Sequence, residues 1–180
     1  MKKITLWMLV LTAMVLACQP NEQEKRDEQE DSQELVLPTS TGEIDSIVAE
    51  IRNGQDTMQE RGPLSVDRGD ETWEVYAYYA GQEPKVLRAL YSGGEQVYYF
   101  IDRRVVQLQE FANLKNGDVE ERVFSYNEED LVGAKARRAA SRLGLEQKEF
   151  GRYRSPYGKN DFRTDVNQVN GSAMSFIYGQ

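Results

Sequence analysis

Few side chains in this sequence have the chemistry that catalysis or metal binding requires. The chain has no histidine and one cysteine, Cys18, so Ser-His-Asp catalysis, Cys-His catalysis and histidine-bearing metal sites are excluded. The candidates for acid–base chemistry are the carboxylates of Glu120-Glu121 and of the run 128–130. A glycosidase needs two carboxyl groups across a cleft, whereas acids at turns and strand edges are ordinarily solvated. We therefore predict no catalytic residues, no metal ligands and no cofactor.

One segment has a composition suited to binding. Residues 151–163, GRYRSPYGKNDFR, interleave basic and aromatic side chains. Such a segment can contact anionic polymers or lipid head groups. The alternative is an irregular tail that pairs with an acidic sheet. The candidate binding residues are Arg152, Tyr153, Arg154 and Tyr157.

Tyrosines on predicted strands form a second candidate surface. In ETWEVYAYYA, residues 71–80, strand alternation places Tyr76 and Tyr78 on the face opposite Trp73. If a helix covers the Trp73 face, these two tyrosines are exposed and can bind sugars, peptides or another protein. The alternative is that tyrosine simply suits half-buried strands.

Charge is distributed unevenly along the chain. The net charge is −8; residues 19–72 carry 15 acidic and 5 basic residues, whereas residues 131–180 carry 4 and 9. This acidic balance indicates that nucleic acid is not the partner.

The position of Cys18 predicts the location of the protein. Lys2 and Lys3 precede a 14-residue apolar stretch from Ile4 to Ala17, which is short for a membrane span and has the length of a signal-peptide core. The run Val15-Leu16-Ala17-Cys18 resembles the lipobox of bacterial lipoproteins. That resemblance implies cleavage before Cys18, lipidation of its thiol and a place in the cell envelope. Since Asp does not follow the cysteine, it favours the outer membrane, on its periplasmic face or at the cell surface.

The domain boundaries follow from this interpretation. We expect a signal peptide over 1–17, a lipidated cysteine with a disordered acidic tether over 18–40, and one folded domain over 41–180. Residues 19–34 contain no aliphatic or aromatic residue, so they cannot bury enough surface to offset the entropy of ordering. The tether is interpreted as a spacer; an acidic signal for export to the surface is the alternative.

The folded part begins with a predicted helix. Thr41-Gly42-Glu43 is typical of a helix start, and the apolar residues that follow are spaced i, i+3, i+4 and i+7. They are Ile44, Ile47, Val48 and Ile51. This stripe favours a helix packed on a sheet, with Trp73 at the centre of the core beneath Ile47 and Ile51; a partner-binding helix is the alternative.

Five strands with close turns follow the helix. Ser92-Gly93-Gly94-Glu95 and Asn116-Gly117 are strong turn signals, and the short connections require antiparallel neighbours. The predicted strands are 71–80, 84–92, 95–102, 104–112 and 118–126.

The last 50 residues leave alternatives open. Residues 131–137 repeat the pattern of an earlier hairpin and fit a strand, whereas acids at 128–130 and arginines near Gly144 favour a helix over about 134–143. Residues 172–178, SAMSFIY, are interpreted as a strand. The predicted fold class is α+β: an N-terminal amphipathic helix packed on an antiparallel β-meander of 5–7 strands, with a second short helix as an option.

These observations predict a lipid-anchored envelope protein that is a non-catalytic binding or structural module, with a protein or glycan as a candidate partner. The alternative is an inhibitor or sequestering protein for a cationic envelope enzyme such as a lysozyme, which an acidic body would attract. The stretch YSGGEQVYYF loosely resembles the Ser-Gly and Tyr content of lipoproteins that inhibit lysozymes, although the cysteine pairs often found in that family are missing here.

Overall fold

A computed structural model describes residues 37–178. The predicted signal peptide, Cys18 and the predicted tether up to residue 36 lie outside the described residues. The folded part includes residues 37–40, because Pro38 is buried and the backbone N–H of Thr39 donates to the Glu43 side chain at 2.9 Å.

Helix α1, Thr41–Gly54, confirms the predicted N-terminal helix. Ser40 and Glu43 form a capping box, in which the Glu43 N–H donates to the Ser40 hydroxyl at 3.3 Å and the Ser40 N–H donates to the Glu43 carboxylate at 3.2 Å. These bonds satisfy backbone donors that have no partner inside the helix. The N–H groups of Thr39 and Ser40 both donate to the Glu43 carboxylate and hold its pKa below the usual value. Ile44 and Val48 are the buried residues of the predicted stripe.

Within the described residues, eight strands form one antiparallel sheet whose order in space follows the order in sequence, which is more strands than the five to seven predicted. The strands are β1 (Gln59–Arg68), β2 (Glu71–Ala80), β3 (Glu83–Tyr91), β4 (Gly94–Ile101), β5 (Arg104–Asn113), β6 (Val119–Tyr126), β7 (Leu131–Ala139) and β8 (Gly151–Arg152). Short helix α2 (Arg142–Leu145), helix α3 (Val166–Tyr178) and 3-10 helices at Gln55–Thr57, Gly158–Asn160 and Phe162–Thr164 are the remaining elements of the described residues. The predicted α+β class and antiparallel meander are confirmed.

Strand β1 carries few of the usual sequence signals of a strand. Only Leu64, Val66 and Arg68 are partly covered, and the other side chains of the strand are exposed. A bulge between Arg61 and Leu64 contains Pro63, which cannot donate to a ladder and is therefore confined to edges and bulges. An edge strand that buries so little surface leaves a weak hydrophobic pattern.

The predicted hairpin at Ser92-Gly93-Gly94 is confirmed between β3 and β4. Gly94 has φ = +151°, and a Cβ at this position would lie 1.8 Å from the carbonyl oxygen of Phe111. Only glycine permits this approach of β4 to β5.

The sheet is covered on both faces, by different helices. Alternate residues of the strands separate into two buried clusters. The cluster under α1 consists of Ile44, Val48, Tyr78, Val86, Val97, Tyr99 and Val106. The larger cluster includes Val166, Val169, Ala173 and Phe176 of α3 together with Val75, Leu87, Ala89, Tyr98, Phe100, Val105, Leu108, Phe124 and Tyr126.

The prediction that Trp73 lies under α1, with Ile47 and Ile51, is wrong. Trp73 packs against the α3 cluster; its ring stacks on Tyr91 at a centroid distance of 4.4 Å and lies 5.6 Å from Phe176. Both faces of β2 are apolar, so alternation separates two sets of residues but does not identify the helix that covers each set.

The segment 131–139 is a strand, so the helix favoured over 134–143 is wrong for most of its length. Glu120 lies opposite Arg138 and Glu121 opposite Arg137 in the ladder of β6 and β7. These opposite charges stabilise strand pairing, whereas the helical interpretation considered only neighbours along the chain. The helix is limited to α2, where the Gly144 N–H donates to the Ser141 hydroxyl that caps it.

The segment 172–178, interpreted as a strand, belongs to helix α3. The buried residues of α3 are Val166, Val169, Ala173 and Phe176, and their spacing of three or four fits one face of a helix. Seven residues are too short a window to separate this period from strand alternation when the first turn lies outside the window.

Candidate functional site

The candidate site is an arginine-lined groove at the end of the sheet formed by β6, β7 and the chain after β8. The cavity measures about 510 Å³. Its lining residues are Leu114, Glu120, Arg122, Ala136, Arg137, Arg138, Arg152, Tyr153, Arg154 and Pro156.

Sheet register brings the first group of groove residues together. Arg122 and Glu120 are two residues apart on β6 and therefore share a face with Phe124. Arg138 of β7 lies directly opposite Glu120 in the ladder. The Tyr153 ring meets the Phe124 ring edge-on at 4.9 Å, which places Tyr153 over the same face.

Hydrogen bonding places the second group. The pairing of β7 with β8 aligns Lys135 with Arg152, and the Tyr153 N–H then donates to the Ala134 carbonyl at 3.3 Å. The chain therefore stays attached to the sheet as far as Tyr153. This attachment holds the backbone of residues 152–154 beside the groove.

Glu120 organises the inner arginines. Its carboxylate lies 2.5 Å from Arg122 and 3.2 Å from Arg138. Arg122 also lies 3.6 Å from the buried carboxylate of Glu110. Burial lowers the pKa of Arg122, but its hydrogen bond with Glu120 and the charges of Glu120 and Glu110 more than offset this effect, and the pKa is raised.

The outer arginines differ from the inner ones. Arg152 and Arg154 are exposed, and neither lies within ion-pair distance of an acidic side chain of residues 37–178. Arg137, by comparison, lies 2.5 Å from Glu121. Two exposed arginines of the groove lining are therefore available to a ligand.

A buried ionic network lies under the groove. Arg163 donates to Glu110 at 2.5 Å and to Asp161 at 2.8 Å, and the Tyr153 hydroxyl donates to Asp161 at 2.9 Å. Arg163, Glu110 and Asp161 are each less than 9% exposed. The network pins the irregular segment 153–163 to β5 and so determines the position of the groove's outer wall.

The pKa values in this network follow from burial and from neighbouring charge. Burial lowers the pKa of Arg163, but the charges of Glu110 and Asp161 raise it by more, so its net change is upward. Burial raises the pKa of Asp161, whereas hydrogen bonds from Ser155, Arg163 and Tyr153 lower it by more. Burial, together with the hydrogen bond to Asp161, raises the pKa of Tyr153 to about 12.

This arrangement is suited to recognition of anions. Guanidinium groups remain protonated and offer only donors, so the arginines cannot exchange protons with a substrate near neutral pH. They can form paired, charge-assisted hydrogen bonds to carboxylate or phosphate oxygens. Within residues 37–178, no group of three or more acidic or cysteine side chains is arranged to hold a metal ion.

The predicted site residues fall into two groups. Arg152, Tyr153 and Arg154 line the groove, whereas Tyr157 is 61% exposed and lies outside the groove lining. Tyr78, expected to be exposed, is buried with the α1 cluster, and Tyr76 is half-buried against that cluster. The exposed surface predicted from these two tyrosines is wrong, since α1 covers the face on which they lie.

Sequence reasoning missed the inner half of the groove. The prediction that Glu120 and Glu121 are solvated charges is wrong. Glu120 is half-buried and paired with Arg122 and Arg138, and Glu121 is 2% exposed and paired with Arg137. The sequence does contain opposite charges that predict an ion-pair cluster: Glu120 and Arg122 on one strand and Arg138 on the next. The cluster can be predicted only when the register of β6 and β7 is known, and that register requires residues 131–139 to be a strand.

Comparisons with known proteins add no relationship. No protein-family model, curated protein or solved structure matches this chain. Among the helices of residues 37–178, none is both long and apolar enough to cross a membrane.

Proposed function

We propose that the protein is a non-catalytic binding module of the cell envelope, anchored through lipid on Cys18, which holds an anionic ligand in the arginine-lined groove. The observation that supports this function is the pair Arg152 and Arg154, exposed at a groove whose inner arginines are paired with carboxylates. Natural binding pockets have volumes of roughly 300–1,000 Å³, and this cavity of about 510 Å³ falls in that range.

Binding is tested by titrating inorganic phosphate and citrate into the isotope-labelled protein and following amide resonances. We expect the resonances of residues 120–122, 136–138 and 152–154 to move together and to saturate. Arg152→Gln and Arg154→Gln should each weaken binding about tenfold, since each removes a charged donor. Arg103→Gln is the matched control, because Arg103 is also exposed and lies in the turn between β4 and β5, outside the groove lining.

A further variant tests the charge of the groove. Glu120→Gln removes the one carboxylate among the described lining residues. Arg138 then loses its ion pair, and Arg122 keeps only the more distant carboxylate of Glu110. The substitution should tighten anion binding, whereas added salt should weaken it because exposed charges are screened. The proposal fails if the anions move no groove resonance, or if the groove variants bind as the wild type does.

The anchor is tested separately from the groove. Wild-type protein should incorporate a fatty-acid analogue and sediment with outer membranes, and Cys18→Ser should abolish both. Labelling of Cys18→Ser at the wild-type level would remove the anchor from the proposal and leave the binding function untouched.

A second candidate function is inhibition of a cationic envelope enzyme such as a lysozyme. It is favoured by carboxylates exposed along the first two strands, at Glu60, Asp67, Glu71 and Glu74, at the opposite end of the sheet order from the groove. Complementary charge would increase the rate of association. A lysozyme activity assay with wild type and with these four acids neutralised tests this candidate, and undiminished lysozyme activity in excess wild-type protein removes it.

A further inference from the structure

Within residues 37–178, the groove and the network beneath it hold two more arginines than carboxylates. Five arginines take part: 122, 138, 152, 154 and 163. They face three carboxylates: Glu110, Glu120 and Asp161. The ion pairs among them involve every one of these residues except Arg152 and Arg154. Arg137 also lines the cavity, but its side chain pairs with Glu121 on the other face of the sheet.

Arg152 and Arg154 are close together in the chain. They are two residues apart, and in extended chain this spacing separates Cα atoms by about 7 Å. Both residues line the same cavity. Arginine side chains are long and flexible, so two of them at this spacing can converge on a single group with two negative charges.

Resting on the proposed function, we infer that the ligand carries a terminal phosphomonoester. This group has a charge of about −1.5 to −2 at pH 7 and three acceptor oxygens. It can therefore accept paired hydrogen bonds from two arginines and neutralise both of their charges. A phosphodiester carries one negative charge and leaves one guanidinium uncompensated. Two carboxylates also carry two charges, but spread them over two separate centres.

Protonation of a phosphomonoester gives its binding a characteristic dependence on pH. The second proton of a phosphomonoester binds with a pKa of about 6, and guanidinium groups remain charged throughout this range. Affinity should therefore fall about tenfold between pH 7.5 and pH 5, as the dianion disappears. A phosphodiester has no such titration, and its affinity should stay constant across the same range.

The experiment is calorimetric titration of the full chain in nonionic detergent with glycerol 3-phosphate, glycerophosphoglycerol and succinate. We expect glycerol 3-phosphate to bind at least about tenfold more tightly than the other two at pH 7.5. Its affinity should fall about tenfold between pH 7.5 and pH 5. Arg152→Gln and Arg154→Gln should each remove most of the difference in affinity between the monoester and the diester. Arg103→Gln should bind as the wild type does.

Two arms distinguish the sources of the phosphomonoester. Phosphatidic acid doped into the micelles and free glycerol 3-phosphate compete for the same site, with phosphatidylglycerol as the diester control. Stronger competition by phosphatidic acid assigns the ligand to a lipid, and equal competition at equal concentration assigns it to a soluble phosphate. Both results support the phosphomonoester.

Two outcomes overturn the inference, and they differ in their consequence for the proposed function. If glycerophosphoglycerol or succinate binds as tightly and with the same dependence on Arg152 and Arg154, the ligand class is wrong and the anion-binding function stands. If no anion binds, or if the two variants change nothing, both proposals fail.

Discussion

Arg163 is the residue that joins the irregular C-terminal segment to the sheet. Its guanidinium satisfies the buried carboxylates of Glu110 and Asp161, and the Tyr126 hydroxyl donates to its backbone carbonyl at 2.9 Å. Within the described part of the chain, every buried polar side-chain atom has a hydrogen-bond partner. Complete satisfaction matters because a partly satisfied buried network is less stable than an apolar core.

Replacement of Arg163 should therefore be costly. Arg163→Met leaves Glu110 and Asp161 buried without their cation, and removal of one partner of a buried pair typically costs about 3–5 kcal/mol. Arg154→Met, at an exposed position, should change the free energy of unfolding by no more than about 0.5 kcal/mol. Urea denaturation measures both variants, and equal stability of the two would mean that the network does not stabilise the fold.

Buried tyrosines make the stability sensitive to alkali. Burial raises the pKa of Tyr98 to about 12, whereas an unfolded tyrosine ionises near 10. The folded state therefore retains a proton that the unfolded state loses. The protonated Tyr98 side chain therefore adds to the free energy of unfolding below about pH 10. This stabilisation is lost as the pH rises from 10 to 12, and its magnitude is on the order of 3 kcal/mol.

The measurement is the free energy of unfolding at several pH values between 9 and 11.5, for wild type and Tyr98→Phe. Wild type should lose stability steadily above pH 10, and Tyr98→Phe should lose distinctly less across the same interval. Parallel curves for the two proteins would show that Tyr98 ionises normally in the folded state.

At the scale of elements, two helices share one sheet. α1 begins with its own capping box, so its start depends on local chemistry. α3 carries no charged residue in its sequence and buries four apolar side chains in the larger cluster. Its position therefore depends on packing against strands β2 to β6, and on the Val105 N–H of β5, which donates to Asn170 at 2.7 Å.

Measured coupling between mutations can show whether Trp73 packs under α1 or under α3. Trp73→Ala should cost about 3 kcal/mol, as large-to-small substitutions of core aromatics do. In a double-mutant cycle, Trp73 and Phe176 should couple by about 0.5–3 kcal/mol because their rings are in contact, whereas Trp73 and Ile47 should show additive effects. Coupling to Ile47 in place of Phe176 would reverse the assignment of the two faces.

At the scale of the whole molecule, a single meander is buried on both faces and ends in the groove. Its first strand is a polar edge with a proline-containing bulge, which discourages pairing with another sheet. Its last strand is two residues long, and the chain after it forms the wall that carries Arg154. The groove is thus a product of how the sheet ends.

The acidic segment 19–34 should contribute nothing to this folded unit. Deleting it should shift the melting temperature of the protein by no more than about 2 °C, since changes outside the core stay within about 0.5 kcal/mol. Differential scanning calorimetry of the deletion and of the full chain makes the comparison. A loss of several degrees would mean that the segment packs against the domain.

The sequence by itself determined the features that depend on neighbours along the chain. The i, i+3, i+4 and i+7 spacing from Ile44 to Ile51 identified α1, and turn residues such as Gly93-Gly94 and Asn116-Gly117 delimited the strands from β2 to β6. These signals are short-range, so they can be read without the fold.

Only the tertiary structure decided which helix covers which face and what the last 50 residues form. Both faces of β2 are apolar, so Trp73 and Tyr78 could each have lain under α1. Residues 131–139 have both helical and strand character, and their ladder with β6 selects the strand. That ladder sets Glu120 opposite Arg138, and the pairing of β8 together with the buried contacts of Arg163 holds the segment with Arg152 and Arg154 beside the same groove. Contacts between residues distant in sequence thus assembled the site, because cross-strand pairing and ion pairing depend on register, which no local pattern specifies.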